Sequence, residues 1–501
     1  MIAPAKPFSI LDRYGSPLPR ATSRLPAMSQ QPIPRKPIEA RYDAAQDTPE
    51  FTNYWAAADG LDSDSANSKP VRAKLVKRSR YEVANNGFMD GMVQTHANYL
   101  VGTGPKLRML TGSPGFNQTV EALWKRWAKA VKLRRKLWCM AHAKVQDGEA
   151  FGIMRRNPGL RDRVKWDFVL FETEMCQTPM LPYAVVGYID GAKFDEFGNI
   201  EHYDILPQHP GGQWTAYAQT PEKVSPLYVA HWFTLRRPGQ HRAVPEFRST
   251  LNTGASSRRW REATVSAAET AADVALTIAT NNQPDGEFTA ANDYTTDVLK
   301  RRTVMALPAG YVPNQIKAEH PNATYEAFSK GQLNEQARPK SMPYNLAACD
   351  SSSYNYASGR LDHQTYFLTL NLEREDADDL VLDEVVFPRW WEAAVEAYGW
   401  NAEGTEVPEH AWDWPKHPVA DTGTEADARD KNLKNGSLSP SEAAAEEGED
   451  FEERVVKLAA DYGKPVDEMR EILLKNNFQA AFINTGAEAN KPPAKQGAAR
   501  G

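Results

Sequence analysis

The sequence predicts an α+β protein built from several parts and prone to assembly, and three observations predict it. Residues 150–240 have a β-rich texture and are flanked on both sides by helical periodicity. The helix from about Leu251 to Thr280 is rich in Ala, Ser and Thr, too poor in large apolar groups to form a core alone and therefore suited to packing against another helix. A long helical pattern follows the stretch D-S-S-S-Y-N-Y-A-S-G-R at Asp350–Arg360 and runs to the pair Trp390 and Trp391, with Leu361, Phe367, Leu368, Leu372, Leu380 and Val386 at a helical period. None of these stretches has the spacing of a nucleophile, a metal site or a phosphate cradle.

At 501 residues the chain is long enough for several domains and a sizeable core. Its 41% hydrophobic and 25% charged residues are ordinary for a globular protein. No run approaches the roughly 20 apolar residues of a membrane helix, and M-I-A-P-A-K-P-F-S-I lacks the apolar stretch of a signal peptide. Both absences argue for synthesis and use in a cytoplasm. The three cysteines, Cys139, Cys176 and Cys349, are scattered, so neither a disulfide framework nor a zinc set follows, and each reads as a small buried hydrophobe. A net charge of −6 argues against a protein that grips nucleic acid tightly, while suiting a wall that DNA slides past.

Residues 1 to about 50, rich in Pro and Arg, read as an extended arm, either a disordered tail or a strap over a neighbouring subunit. From Val71 to Val101 the pattern is helical with a break at Asn85, Asn86 and Gly87, closing on V-G-T-G-P. Helices follow over about Asn117–Lys132, with Val120, Leu123, Trp124 and Trp127 on one face, and about Leu133–Val145. E-A-F-G-I-M-R-R, V-K-W-D-F-V-L-F and Y-A-V-V-G-Y-I-D read as strands, and a hairpin turns at Glu196–Asn199. Residues 282–322 are short, β-like and turn-rich. A helix over about Thr324–Ala337 precedes the R-P-K-S-M-P loop and the long helix. Beyond Trp400 the composition is acidic, with two short helices, the second capped at Ser439 or Ser441. The end of the chain reads as disordered.

Four places carry a resemblance to the tailed-phage portal proteins, and to their lambda-type family in particular. V-A-N-N-G-F-M-D-G-M-V-Q-T-H-A-N-Y-L-V-G-T-G is similar to that family's first helix. V-A-H-W-F-T-L-R-R-P-G-Q-H-R-A-V-P is similar to its strand and R-P-G-Q-x-R-G-V-P turn, with Ala243 in place of the usual Gly. E-H-P-N-A-T-Y-E-A-F and N-Y-A-S-G-R resemble two further signatures, with Gly359 where a Ser is expected. L-K-N-G-S-L-S-P-S-E-A-A-A-E-E-G-E-D-F-E-E resembles its C-terminal segment. Together they span about residues 70–475 in the family's order.

The resemblance implies a portal fold: a helical and β-rich wing, a two-helix stem, a small α/β clip, a long backbone helix and a helical C-terminal crown. On this chain it implies an arm at 1–50, wing at 51–250, stem helices at 251–281 and 324–337, clip at 282–323, tunnel loop at 338–358, backbone helix at 359–399, crown at 400–475 and tail at 476–501. It further implies a ring, expected to be dodecameric, at one vertex of a virus capsid and assembled in the host cytoplasm. Double-stranded DNA would pass along the axis, driven by the large terminase subunit docked on the clip. A head-tail adaptor would replace that motor after filling. The major capsid protein is a further expected partner, with a scaffold protein as another candidate. No cofactor, metal, membrane or catalytic residue is implied.

Candidate sites follow. Lys300, Arg301 and Arg302 are either a solvated charge run or a docking patch for the motor or adaptor. Arg258, Arg259 and Arg261 read as opening the Ala-rich helix, where positive charge opposes the macrodipole and asks for a partner, an acidic side chain of the next subunit ahead of DNA phosphate. Arg338 and Lys340 in the tunnel loop would form a positive belt if they face the channel, and Tyr344, Tyr354 and Tyr356 could contact DNA or pack between subunits. The acidic run Glu373, Glu375, Asp376, Asp378, Asp379, Asp383 and Glu384 reads as a solvated or intersubunit face, with lining of the upper channel as the alternative. As rivals, another capsid-vertex or adaptor ring protein and a metal-dependent nuclease-like enzyme remain. Asp362 to Gln364 with Asp378 and Asp379 suggest the enzyme without a His-rich spacing to accompany them, and G-T-G-P at Gly102 lacks the Lys and Ser or Thr of a P-loop.

Overall fold

The computed structural model describes residues 55, 57–178, 187–213, 219–273, 277–280, 311–314, 325–352, 355–400, 406–418, 422–447 and 451–477. The expected arm, most of 282–323 and nearly all of 476–501 lie outside the described residues. The chain divides into two units, Met1–Gly60 and Leu61–Gly501. In the first, the described residues include a turn in which the Ala58 N–H donates to the Trp55 carbonyl (2.8 Å). Every helix and strand described belongs to the second.

A helical block comes first. α1 (Ser63–Ala66) is a single turn whose Ser65 N–H is accepted by the Asp62 carboxylate. α2 (Lys69–Asn85) and α3 (Gly87–Val101) are split by Asn86, whose extended backbone (φ −122°) cannot continue a helix, as N-N-G predicts. β1 (Lys106–Met109) leads to α4 (Pro114–Ala130), which begins earlier than its apolar face suggests because the sequence S-P-G places Pro114 at the first helical position. α5 (Leu133–Asp147) ends on Gly148 at φ +96°. A Cβ there would lie 2.2 Å from the Val244 carbonyl carbon, so both conformation and space require glycine. Gly148→Ala should therefore lower the unfolding free energy by more than about 1 kcal/mol, read from denaturant titration.

β2 (Glu149–Arg156) and β3 (Trp166–Phe171) follow, then β4 (Tyr188–Ile189), β5 (Ala192–Phe194), β6 (Ile200–Ile205), β7 (Glu222–Val224) and β8 (Val229–Phe233). They form two antiparallel sheets, of order β3-β2-β8 and β4-β5-β6-β7. The first six residues of β2 are all buried, and the two-residue period explains how. Ala150 and Met154 join the main core with Phe168, Ala230 and Trp232, while Phe151 and Ile153 join a second core with Phe194, Tyr203, Ile205 and Val229. One sheet is thus packed on both faces. The β5–β6 hairpin turns where expected: Asp195 Oδ1 accepts the Phe197 and Asn199 N–H groups, and Gly198 sits at φ +86°.

The Ala-rich helix α6 is shorter than its composition suggests, spanning Leu251–Asp273, and Thr277–Thr280 is a strand, β9. β9 pairs antiparallel with β10 (Tyr311–Asn314), with Thr280 opposite Tyr311. The β-branched Thr and Ile of T-I-A-T suit a strand once a partner exists. α7 (Tyr325–Ala337) packs against α6 through Trp260, whose ring lies 4.8 Å from both Tyr325 and Phe328.

The long helix begins at Tyr356, before Gly359, because Asn355 caps it by accepting the Ser358 N–H (2.8 Å). A short helix, α8 (Tyr344–Ala348), lies ahead of it. The long helix comprises α9 (Tyr356–Ala377), a π-helical stretch over Asp378–Val386 and α10 (Phe387–Tyr398). The Phe387 N–H donates to the Leu382 carbonyl five residues back, just before Pro388, which has no N–H to donate, so the wide turn absorbs the proline. The side chains buried along it include Tyr366, Leu370, Ala377, Val381, Leu382, Val385, Val386, Phe387 and Trp390, whereas Leu361, Leu368 and Leu372 are exposed. α10 meets α4 in an aromatic cluster in which Trp390 lies 5.1 Å from Trp124.

β11 (His410–Asp413) returns to the body and pairs with β1, with Lys106 opposite Asp413. The acidic end holds α11 (Thr422–Asn435), α12 (Pro440–Glu446), α13 (Phe451–Tyr462) and α14 (Val466–Asn477), four helices where two were expected. Ser439 is the α12 cap: its hydroxyl accepts the Glu442 N–H (3.2 Å) and the Glu442 carboxylate accepts the Ser439 N–H (2.9 Å). Of the cysteines only Cys176 is buried; Cys139 and Cys349 are exposed. Among the described residues no helix is long and apolar enough to cross a membrane.

Candidate functional site

The segment from Arg338 to Asn355 joins α7 to α9 and is built from short, locally closed pieces. A 3₁₀ turn at Arg338–Lys340 ends on Ser341 at φ +52°. Pro343 precedes α8, which ends on Cys349 at φ +55°. Two non-glycine residues in left-handed conformation close successive turns, a geometry the surroundings must hold. Met342 and Ala347 are buried, and the Asn345 side chain hydrogen bonds His363 on α9 (2.9 Å). Asp350 Oδ1 accepts the Ser352 N–H (2.9 Å).

Beneath this segment lies a buried square of charge. Lys340 is 2% exposed, and its ammonium donates to Glu246 (2.5 Å) and to Glu373. Lys144 on α5 donates to the same two carboxylates, at 3.2 and 2.7 Å. The two buried cations and two anions balance, each carboxylate bridges both ammoniums, and the part-exposed Arg236 adds a longer contact to Glu246 (3.6 Å). Thr234 Oγ1 also donates to Glu246 (3.0 Å). Burial alone would raise the Glu246 carboxyl, yet Lys144 and Lys340 outweigh it and push it down to about 2. The same contest holds Glu373 well below its ordinary value. Burial opposes the Lys144 charge, but Glu246 and Glu373 hold it above the usual lysine range. His96 completes the cluster. Burial and Lys340 push it down, so it is a neutral imidazole. Its Nε2–H donates to Glu373 (3.2 Å), since a carboxylate can only accept, and Nδ1 accepts from the Tyr366 hydroxyl (3.2 Å).

A second cluster holds the R-R-P-G-Q-H-R-A-V-P turn. Glu149, 1% exposed, receives Arg242 Nε (3.0 Å) and Nη2 (2.6 Å), His231 Nε2 (3.1 Å), the Ala243 N–H (3.1 Å) and the Thr173 hydroxyl. Arg242 Nη1 reaches on to the carbonyls of Cys176 (3.3 Å) and Asp190. Arg72 on α2 pairs with Asp190. One guanidinium thereby ties both sheets and the turn together, and Arg72 adds the helical block.

The structure corrects several expectations. Lys340 does not face a channel, because its ammonium is consumed by the buried square. Arg338 is exposed, with no ion pair among the described residues. Tyr344 is half-buried, with the Lys330 ammonium 4.9 Å from its ring centroid. Tyr354 lies outside the described residues, as does the side chain of Tyr356, and so do Lys300, Arg301 and Arg302. Arg258 and Arg261 do not open a helix, since α6 starts at Leu251, and their partners are in the same chain. Arg258 pairs with Glu82 (2.9 Å) and Arg261 donates to Asn86 Oδ1 (2.8 Å). Arg259 is exposed. The acidic run splits: Glu373 is buried, Asp378 accepts the Trp414 indole N–H (2.9 Å), and Asp383 accepts from Trp412 (2.5 Å). Burial, with Asp383 and Asp379 nearby, pushes the Asp378 carboxyl up to about 7 despite that bond. Asp362 and Asp379 are exposed and His363 is turned to Asn345, so these residues do not converge on a shared ligand position.

Sequence pattern alone does not single out Glu246, Lys144 or His96, and it places Glu373 only within an acidic face. A signal existed: Glu373 interrupts the buried helical stripe Tyr366, Leu370, Ala377, and Lys144 interrupts Leu137, Met140, Ala141. A charged residue inside an apolar stripe must be paired.

The model of the lambda family of phage portal proteins matches residues 52–370. The chain belongs to that family. The match holds the helical block, both sheets, α6, α7, the 338–355 segment and most of α9, and ends before the C-terminal segment that resembles the family. A search of curated proteins returns no match. Among solved structures, the neck of an empty gene transfer agent particle computed with C6 symmetry is similar over 75% of this chain and 93% of its own, with 14% identity and a TM-score of 0.40. The virion of a native gene transfer agent particle is similar over 78% and 94%, with 12% identity and a TM-score of 0.39. An HK97 family phage portal protein from Corynebacterium diphtheriae is similar over 57% and 85%, with 10% identity and a TM-score of 0.28.

Proposed function

We propose that this portal protein works as the subunit of a ring at one capsid vertex, through which a terminase motor drives double-stranded DNA inward and from which the DNA later leaves. The family match over residues 52–370 carries the reading. The proposed parts follow the elements. Residues from α1 to β8, with the long helix, form the wing; α6 and α7 form the stem. The β9–β10 pair closes the base of the clip, where Lys300, Arg301 and Arg302 are the proposed docking patch for the motor and then the adaptor. The helices after Trp400 form the crown.

Within the ring, the 338–355 segment is the proposed tunnel loop, and Arg338 is the cation it offers to passing DNA. The buried square beneath it fixes the loop to the wing, and a positive side chain repeated around an axis touches phosphates transiently without gripping them. Arg338→Ala should leave rings intact and reduce packaged DNA several-fold in a packaging assay with the matched motor. Unchanged packaging removes Arg338 from the channel. Shells that fill equally well without this chain overturn the portal reading itself.

A further inference from the structure

The long helix exposes an apolar line that the described residues leave uncovered. Leu361, Leu368 and Leu372 are 66%, 62% and 56% exposed and fall on one face at spacings of seven and four residues. The same face continues into Glu375 and Asp379, both exposed and without an ion pair among the described residues. Three largely exposed leucines in a line end, therefore, on an unneutralised acidic pair. Two copies of that face cannot pair through their acids, so a self-matching contact is disfavoured.

α2 carries the complement. Its exposed face runs Val71, Lys74, Arg78, Tyr81, with Val71 43% and Tyr81 56% exposed. Lys74 and Arg78 have no ion pair among the described residues. The acid of α2, Glu82, does not interfere, since it is buried against Arg258. Glu375 and Asp379 are four residues apart, and so are Lys74 and Arg78, giving each pair the same rise of about 6 Å. In each helix an apolar side chain lies three residues from the charged pair: Leu372 on α9, Val71 and Tyr81 on α2. Both helices pack on α3 with their other faces. Two different, complementary patches on one subunit are what a head-to-tail contact requires, and head-to-tail contacts whose rotation closes generate rings.

We infer that the Leu361–Leu368–Leu372–Glu375–Asp379 face of the long helix, on α9 and the start of the π-helical stretch, docks on the Val71–Lys74–Arg78–Tyr81 face of α2 in the neighbouring copy. The inference rests on the ring reading above and names its seam. Leucine and tyrosine burial supplies the attraction, and the matched charges set partner and register.

Three variants test it, each first shown folded by circular dichroism and melting temperature. Glu375→Lys with Asp379→Lys, and separately Lys74→Glu with Arg78→Glu, should each raise the concentration for ring formation about a hundredfold by native mass, because like charges then meet. The fourfold variant carrying both swaps should form rings as the wild type does. Rings from either two-residue variant at the wild-type concentration overturn the seam while leaving the ring reading in place. Failure of the fourfold variant to recover rings overturns the pairing. A wild-type chain that forms no ring under any condition removes the ring reading and the seam with it.

Discussion

Lys340→Ala should lower the unfolding free energy by about 3–5 kcal/mol, because it strips one cation from a buried square and leaves two carboxylates sharing the Lys144 ammonium, with only the longer Arg236 contact to Glu246 (3.6 Å) besides. The effect depends on pH with a sign the geometry sets. In the wild type Glu246 titrates at about 2 and Glu373 well below its ordinary value, against 4.5 for a free glutamate. Folded values below unfolded values mean that this stability is fully present above about pH 4.5 and is lost as pH falls toward 2. In the variant the surplus carboxylate gains by taking up a proton, so its folded value rises and acidification costs the variant less. The gap between the two proteins should narrow from pH 7 to pH 3 in denaturant titrations. A gap that is absent at pH 7, or constant with pH, would show that Lys340 is not held by these carboxylates. On the proposed tunnel-loop reading, losing Lys340 should also disturb DNA passage, and for a reason unlike the one proposed for Arg338: the first change would loosen the loop, the second would remove a contact from it.

Arg242→Ala should be as damaging, by about 3–5 kcal/mol, since Glu149 would stay buried with only the longer contact to Arg72 (3.8 Å) in place of its close guanidinium. Burial raises that carboxyl, and Arg242 foremost, with His231 and Arg72, holds it well below its usual value. Arg242→Lys should recover little. A single ammonium cannot meet the Glu149 carboxylate edge-on and also reach the Cys176 and Asp190 carbonyls. Replacing both partners with apolar residues, Arg242→Met with Glu149→Leu, should be milder than either single change, because no buried charge is left alone. Equal or greater damage from the double variant would contradict this account. The four-stranded sheet hangs on this cluster through Asp190, so limited proteolysis should show β4 to β7 opening first in Arg242→Ala.

Much of this architecture is legible in the residues themselves. Asn86 with Gly87 splits α2 from α3, the Asp195–Asn199 turn makes its hairpin, and Ser439 with Glu442 caps α12; each is decided by neighbours in the chain. What was not legible depends on partners far away. Lys106–Met109 and His410–Asp413 are too short and too weakly patterned to read as strands alone, and become β1 and β11 by pairing with each other across the chain. Thr277–Thr280 has helical composition behind it and turns to strand only because Tyr311–Asn314 lies alongside. Lys340 looks like a solvent-facing loop lysine, since its partners come from the turn after β8 and from α9. The leucines misled in the opposite direction. Leu361, Leu368 and Leu372 fit the helical period of a core face, but the helix buries the opposite line of Tyr366, Leu370 and Ala377 instead. Periodicity marks an apolar face without saying whether the same chain or another copy covers it.

The most direct measurement is an electron-microscopic reconstruction of the chain assembled in the presence of its capsid partners, with native mass to count subunits. The account predicts a closed ring with an axial opening wide enough for duplex DNA, α9 of each subunit against α2 of the next, and Arg338 facing the opening. A closed dimer, a ring too narrow for DNA, or a chain that stays monomeric with those partners present would contradict it.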